Sequence, residues 1–178
     1  MSRNHLILTT AMSVISLFIC GDANAESNQI SAKEANFKAA LIYKMGSYLS
    51  WIPPREQVNY CFIGEASMPI SKVLDDKQAR GKLPKPIQVT NYQTLDISNL
   101  KSCDVVYAPH SNQMDVASLD TLPTNVFTIS NSSKALEHGF IASIELYNKK
   151  PLLSISKNNL KNSTVSVNSR FLSYVDLR

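Results

Sequence analysis

Five glycines are scattered through 178 residues. None forms a P-loop or a Gly-x-Gly-x-x-Gly turn, so the chain encodes no phosphate cradle. No Gly-x-Ser-x-Gly or His-Glu-x-x-His occurs, which excludes the nucleophile elbow and the zinc-protease helix. Histidine is scarce at three residues, and cysteine likewise. Cys-x-x-Cys is absent, which argues against a catalytic dithiol. The formal net charge is +4, with lysines spread along the chain. Small basic clusters at 77–85 and 149–150 do not make a basic stripe with interleaved aromatics, so nucleic acid is not an expected partner. No cofactor and no metal site is expected either. There is a single Trp, Trp51.

What is present begins with an export signal. One Arg near the start is followed by an uncharged apolar run over 6–20, then by Ala23-Asn24-Ala25. That is the tripartite pattern of a secretory signal peptide, residues 1–25, cleaved before Glu26. As a helix the apolar run spans roughly 22 Å, short of a ~30 Å bilayer core. Cys20 does not sit in a lipobox, because Ile19 stands where a small residue is needed. Residues 26–178 then form one domain, a length that suits a single hydrophobic core. The expected place is the periplasm. Export removes Cys20 and leaves Cys61 and Cys103. An even pair in an oxidising compartment reads as a disulfide, the alternative being two separately buried thiols.

Ser31-Ala32-Lys33-Glu34 is a capping box and starts a helix. Phe37, Leu41, Met45, Tyr48 and Ile52 recur at helical spacing as its buried face. Pro53 and Pro54 are expected to stop it. Strands are predicted at 58–64, 86–92, 103–110 and 125–130. The run at 103–110 is continuous and apolar, as in a strand buried on both faces. Helices are predicted at 67–81, ending at Gly81, and at 112–123. A helical turn ends at Gly139 in left-handed conformation. An antiparallel hairpin follows, its strands flanking Asn148-Lys149-Lys150. The tail offers a short helix, a brief extended piece, and a last helix with Phe171, Leu172 and Val175 on one side. The alternation predicts an α/β fold. It is a single layered domain with a mostly parallel central sheet, an antiparallel edge hairpin and helices on both faces.

Few residues suggest chemistry. His110 follows a strand, where α/β folds bind ligands, so Gly64, Pro109 and His110 mark a candidate cleft. His138 precedes a helix-ending Gly and caps carbonyls or faces solvent. Glu145 falls on the wet face of the hairpin. Trp51 either seals the core against the strand at 60–63 or belongs to an interface, where Trp is favoured.

Several segments together resemble the YfiR family. They are Lys38-Ala39-Ala40-Leu41-Ile42-Tyr43, Trp51 before the prolines, Cys61-Phe62-Ile63-Gly64, Gly81-Lys82, the strand Cys103 to Tyr107, the strand Val126 to Ser130, and the tail from Asn159-Leu160 through Val165 to Leu172. Ile52 separates Trp51 from Pro53, and Phe171-Leu172 replaces a Leu-Leu pair. The resemblance implies a non-enzymatic periplasmic repressor. It would bind the periplasmic sensor domain of an inner-membrane diguanylate cyclase and keep cyclic di-GMP and biofilm formation low. It also implies a homodimer, release by an outer-membrane lipoprotein, and pairing of Cys61 with Cys103. The second cysteine pair of some members is missing. The alternative function is a periplasmic small-ligand sensor using the cleft at Gly64, Pro109 and His110.

Overall fold

The computed structural model describes residues 30–109, 122–147 and 150–178. The signal segment, His110 and residues 112–121 of the helix expected at 112–123 lie outside the described residues.

Helix α1 is Ala32–Gly46, and Ser31 Oγ accepts from Glu34 N–H at 3.2 Å. The expected reciprocal bond is replaced: the Glu34 carboxylate instead pairs with Lys38 Nζ at 2.7 Å. The buried face consists of Ala35, Lys38, Ala39, Ile42, Met45 and Gly46. Of the expected set Met45 is buried, whereas Phe37 is 37% and Ile52 93% exposed. The seam follows Ala35 and Ala39, whose small side chains let the helix lie close to its support. The helix also stops before the prolines. Ser47 caps it, its Oγ donating to the Lys44 carbonyl. Strand β1, Leu49–Ser50, then pairs antiparallel with β8, Ser166–Val167. Asn168 N–H bonds the Tyr48 carbonyl beside it. A distant partner therefore draws the chain out of the helix before proline chemistry can act.

The main sheet has seven strands in the order β3-β2-β4-β5-β6-β7-β9. They are β2 Val58–Ile63, β3 Ile87–Tyr92, β4 Val105–Tyr107, β5 Phe127–Ser130, β6 Ala142–Tyr147, β7 Lys150–Ile155 and β9 Asp176–Leu177. All neighbours are parallel except β6 and β7. The mixed, mostly parallel α/β sheet agrees with the sequence pattern. The hairpin, however, lies one strand in from the edge. The tail forms a single helical turn, Ser169–Leu172, and then extends as β9 along β7. The 3.6-residue spacing of Phe171, Leu172 and Val175 does not carry through as one helix.

Parallel strands buried on both faces need two covering layers. On one face α1 and α2 (Met68–Ala79) meet Tyr60, Phe62, Tyr107, Phe127 and Ile129. On the other, α3 (Ile97–Leu100) and a 3-10 turn at Ser133–His138 cover Cys61, Val106, Ala135 and Phe140. Gly139 ends that turn at φ 90°, as its position before a strand requires. Glu145 is not a wet-face bystander. Its carboxylate accepts from Ser133 N–H at 2.9 Å and from Ser133 Oγ, which starts the turn.

Candidate functional site

Between β1 and β2 the chain makes a loop, residues 51–57, that is pinned at both ends. Trp51 is 6% exposed and packs in the main core. Its Nε1–H donates to the Asn125 carbonyl at 3.1 Å. Four residues on, Arg55 Nε meets Asp104 Oδ1 at 2.8 Å. The other carboxylate oxygen of Asp104 accepts from Asn59 N–H at 2.9 Å. Asp104 is 7% exposed. A buried carboxylate is tolerable because a cation and a backbone donor replace its water. Asp104 immediately precedes β4, and Asn125 lies just before β5. The loop is thus moored across the N-terminal ends of the parallel strands. Its tip is Ile52, 93% exposed, followed by a cis bond to Pro53. A large aliphatic side chain held in solvent by two anchors offers apolar contact.

Beside the loop is a cleft of about 220 Å³, with Tyr43, Trp51, Pro54, Glu56, Tyr60 and Lys85 on its walls. Tyr43 accepts from Lys85 N–H at 3.0 Å. Its ring stacks on Tyr60, centroids 6.4 Å apart. Burial, then the nearby Tyr43 and Asp104, push the Tyr60 phenol well above the ordinary tyrosine range, so it stays neutral. The helix end is shaped to admit that phenol. A methyl group on Gly46 would collide with the Tyr60 hydroxyl. Gly46→Ala is therefore expected to lower stability by about 1–3 kcal/mol. Thermal melting measures this, and Tyr60→Phe in the same chain should return part of the loss.

The remaining sequence candidates lie elsewhere. Cys61 and Cys103 form a disulfide with Cα atoms 5.8 Å apart. It ties the middle of β2 to the residue before Asp104. Gly64 ends β2 at φ 76° and donates its N–H to the Tyr92 carbonyl. Pro109 is half-buried beyond the end of β4, the strand next to β2. Gly64 and Pro109 thus sit at the C-terminal ends of neighbouring strands, opposite the cleft by Trp51. Sequence reasoning missed Arg55, Asp104 and Asn125. The one available signal was Asp104 itself, a carboxylate set within an apolar run. Among the described residues, no group of three or more His, Cys, Asp or Glu is placed to hold a metal ion.

This architecture defines an α/β domain whose distinctive surface offers shape and apolar contact around the stacked rings of Tyr43 and Tyr60. The chain belongs to the YfiR/HmsC-like family, whose model matches residues 35–174. Among curated proteins none matches this sequence. A solved structure similar in fold is a conserved domain protein from Vibrio cholerae O1 biovar eltor. It is 13% identical with a TM-score of 0.53, and the match covers 81% of this chain and 60% of that one. The chain therefore spans about 60% of that protein's length, and the likeness is one of fold.

Proposed function

We propose that this protein is a periplasmic negative regulator that binds the periplasmic sensor domain of an inner-membrane diguanylate cyclase and represses cyclic di-GMP synthesis. The family match over residues 35–174 carries this reading. The disulfide suits an oxidising compartment reached through the signal peptide at 1–25. Repression needs complementary surface and no bond chemistry. A partner that binds the inactive cyclase about 10⁴-fold better moves a 1:99 equilibrium to 99:1. The moored loop with Ile52 at its tip supplies a rigid apolar contact for such a partner. An outer-membrane lipoprotein that competes for this protein relieves the repression.

The test is deletion of the gene in cells that carry the cognate cyclase. Cyclic di-GMP measured by mass spectrometry should rise and return on complementation. An unchanged level, together with no membrane protein retained on the immobilised chain, would reject the proposal. The cleft beside Trp51 favours a second reading, a small-ligand sensor. Native mass spectrometry of freshly purified protein would then show a retained metabolite.

A further inference from the structure

On β5, β6 and β7 three serines stand side by side. The register places Ser130 opposite Ser143 and Ser143 opposite Ser154. In-register neighbours turn their side chains to the same face of a sheet. Ile129, Ile144 and Ile155, the residues adjacent to them on each strand, fill the core under α1 and α2. The serines therefore face the other layer, where the 3-10 turn Ser133–His138 packs against β6. All three are fully buried, and none of their Oγ atoms has a hydrogen-bond partner among the described residues. Thr128, two residues before Ser130 on the same face, shows the ordinary solution: its Oγ1 accepts from Ile141 N–H at 2.9 Å. The three serine hydroxyls need partners too, because a buried polar group left unpaired costs more than a made bond returns.

We propose that this row is a binding site for internal water, with one molecule bridging Ser130 to Ser143 and another bridging Ser143 to Ser154. Spacing selects the bridge. Neighbouring strands run about 4.8 Å apart. Two hydroxyls bond directly at about 2.7–2.8 Å, whereas a water between them makes two such bonds and spans up to roughly 5.5 Å. Chemistry selects the ligand. Each serine donates one hydrogen and accepts others, and none is charged, so the occupant is neutral and does both. Enclosure keeps it small, since no Oγ of the row is open to solvent. Serine in place of the valine or isoleucine usual in a doubly covered strand leaves room for it. A polar route leads in: Glu145, two residues past Ser143 on the same face, is half-buried, and its carboxylate reaches Ser133. The site shares no residue with the cleft beside Trp51. Its water joins β5, β6 and β7 through their side chains where parallel pairing gives way to antiparallel.

The oxidised parent chain and its Ser143→Ala variant test the site. Magnetic relaxation dispersion of the water signal counts waters held for longer than the protein takes to tumble. Ser143→Ala removes the hydroxyl common to both bridges, so the dispersion should lose the amplitude of both waters. The melting temperature should fall by roughly 2–4 °C. Ser130→Ala should then cost less in the Ser143→Ala background than in the parent, because the shared water has already gone. Equal dispersion in parent and variant overturns the proposal. So does a melting temperature that rises in Ser143→Ala, the mark of a hydroxyl that had no partner to lose. Strictly additive losses for the two serines also overturn it, since they mean separate partners. A crystal structure of the parent decides the matter without any variant. Water density within about 3 Å of Ser143 Oγ and of a neighbouring serine supports the site, and hydroxyls turned onto backbone carbonyls refute it.

Discussion

Replacing Cys61 and Cys103 together with alanine should lower the unfolding free energy by about 4 kcal/mol. The bond closes a loop with a sequence separation of 42. In the chain-entropy model, removing that closure returns about 4 kcal/mol of freedom to the unfolded state. Typical net stabilities are about 5–15 kcal/mol, so the loss is a large share. For a domain of this size the melting temperature should fall by roughly 10 °C or more. Both sulfur-bearing residues are within 1% of complete burial. A reductant must therefore await local opening, and the double variant is the cleaner measurement. Free-thiol titration of the unfolded parent should count no reactive sulfur from this pair. Two reactive thiols, or an unshifted melt, would refute the assignment.

Trp51→Ala should cost about 3–5 kcal/mol, the usual range for emptying a core aromatic site. The same change frees the Asn125 carbonyl and unmoors one end of the loop. Trp51→Phe isolates the second effect: most of the ring's packing remains, and the loss should be nearer the about 1 kcal/mol of a single hydrogen bond. Ile52→Ala one residue away should leave the melting temperature unmoved, because its side chain is 93% exposed. Chemical denaturation of the three variants checks the order. Equal losses for Trp51→Ala and Ile52→Ala would contradict the placement of the indole in the core.

The central strands were legible because burial on both faces writes itself as a largely apolar run. Cys103 to Tyr107 and Val126 to Ser130 are such runs, and β4 and β5 follow them. Gly139 was legible because a left-handed residue ends a helical turn. The end of α1 was not. Tyr48, Leu49 and Ser50 continue a helical spacing, yet pairing with Ser166–Val167 overrides it, and that partner is remote in sequence. Nor was β9. A two-residue strand has no period, and its evidence is the ladder to Ser154 and Ile155. The loop moorings were the least legible part of the site. Trp51 stood out by its rarity, but nothing local links Arg55 to Asp104 or the indole to a backbone carbonyl. Such contacts depend on which strand ends become neighbours. The cleft was expected at the C-terminal strand ends, where α/β ligands usually bind. That expectation includes His110, outside the described residues; the cleft beside Trp51 is a separate one at the opposite strand ends, in the break between α1 and β2.

The far margin of the sheet behaves differently from β3. The Ile155 carbonyl accepts from Arg178, so Ile155, Leu153 and Pro151 point their backbones toward that margin. Pro151 has no hydrogen to give, Lys150 adds charge beside it, and β9 covers Ser154 and Ile155. A molecule with two receptive margins would thread copies end to end without limit. Among the described residues this one leaves a margin free of proline, charge and cover at β3 alone, and the margin at β7 and β9 is blunted.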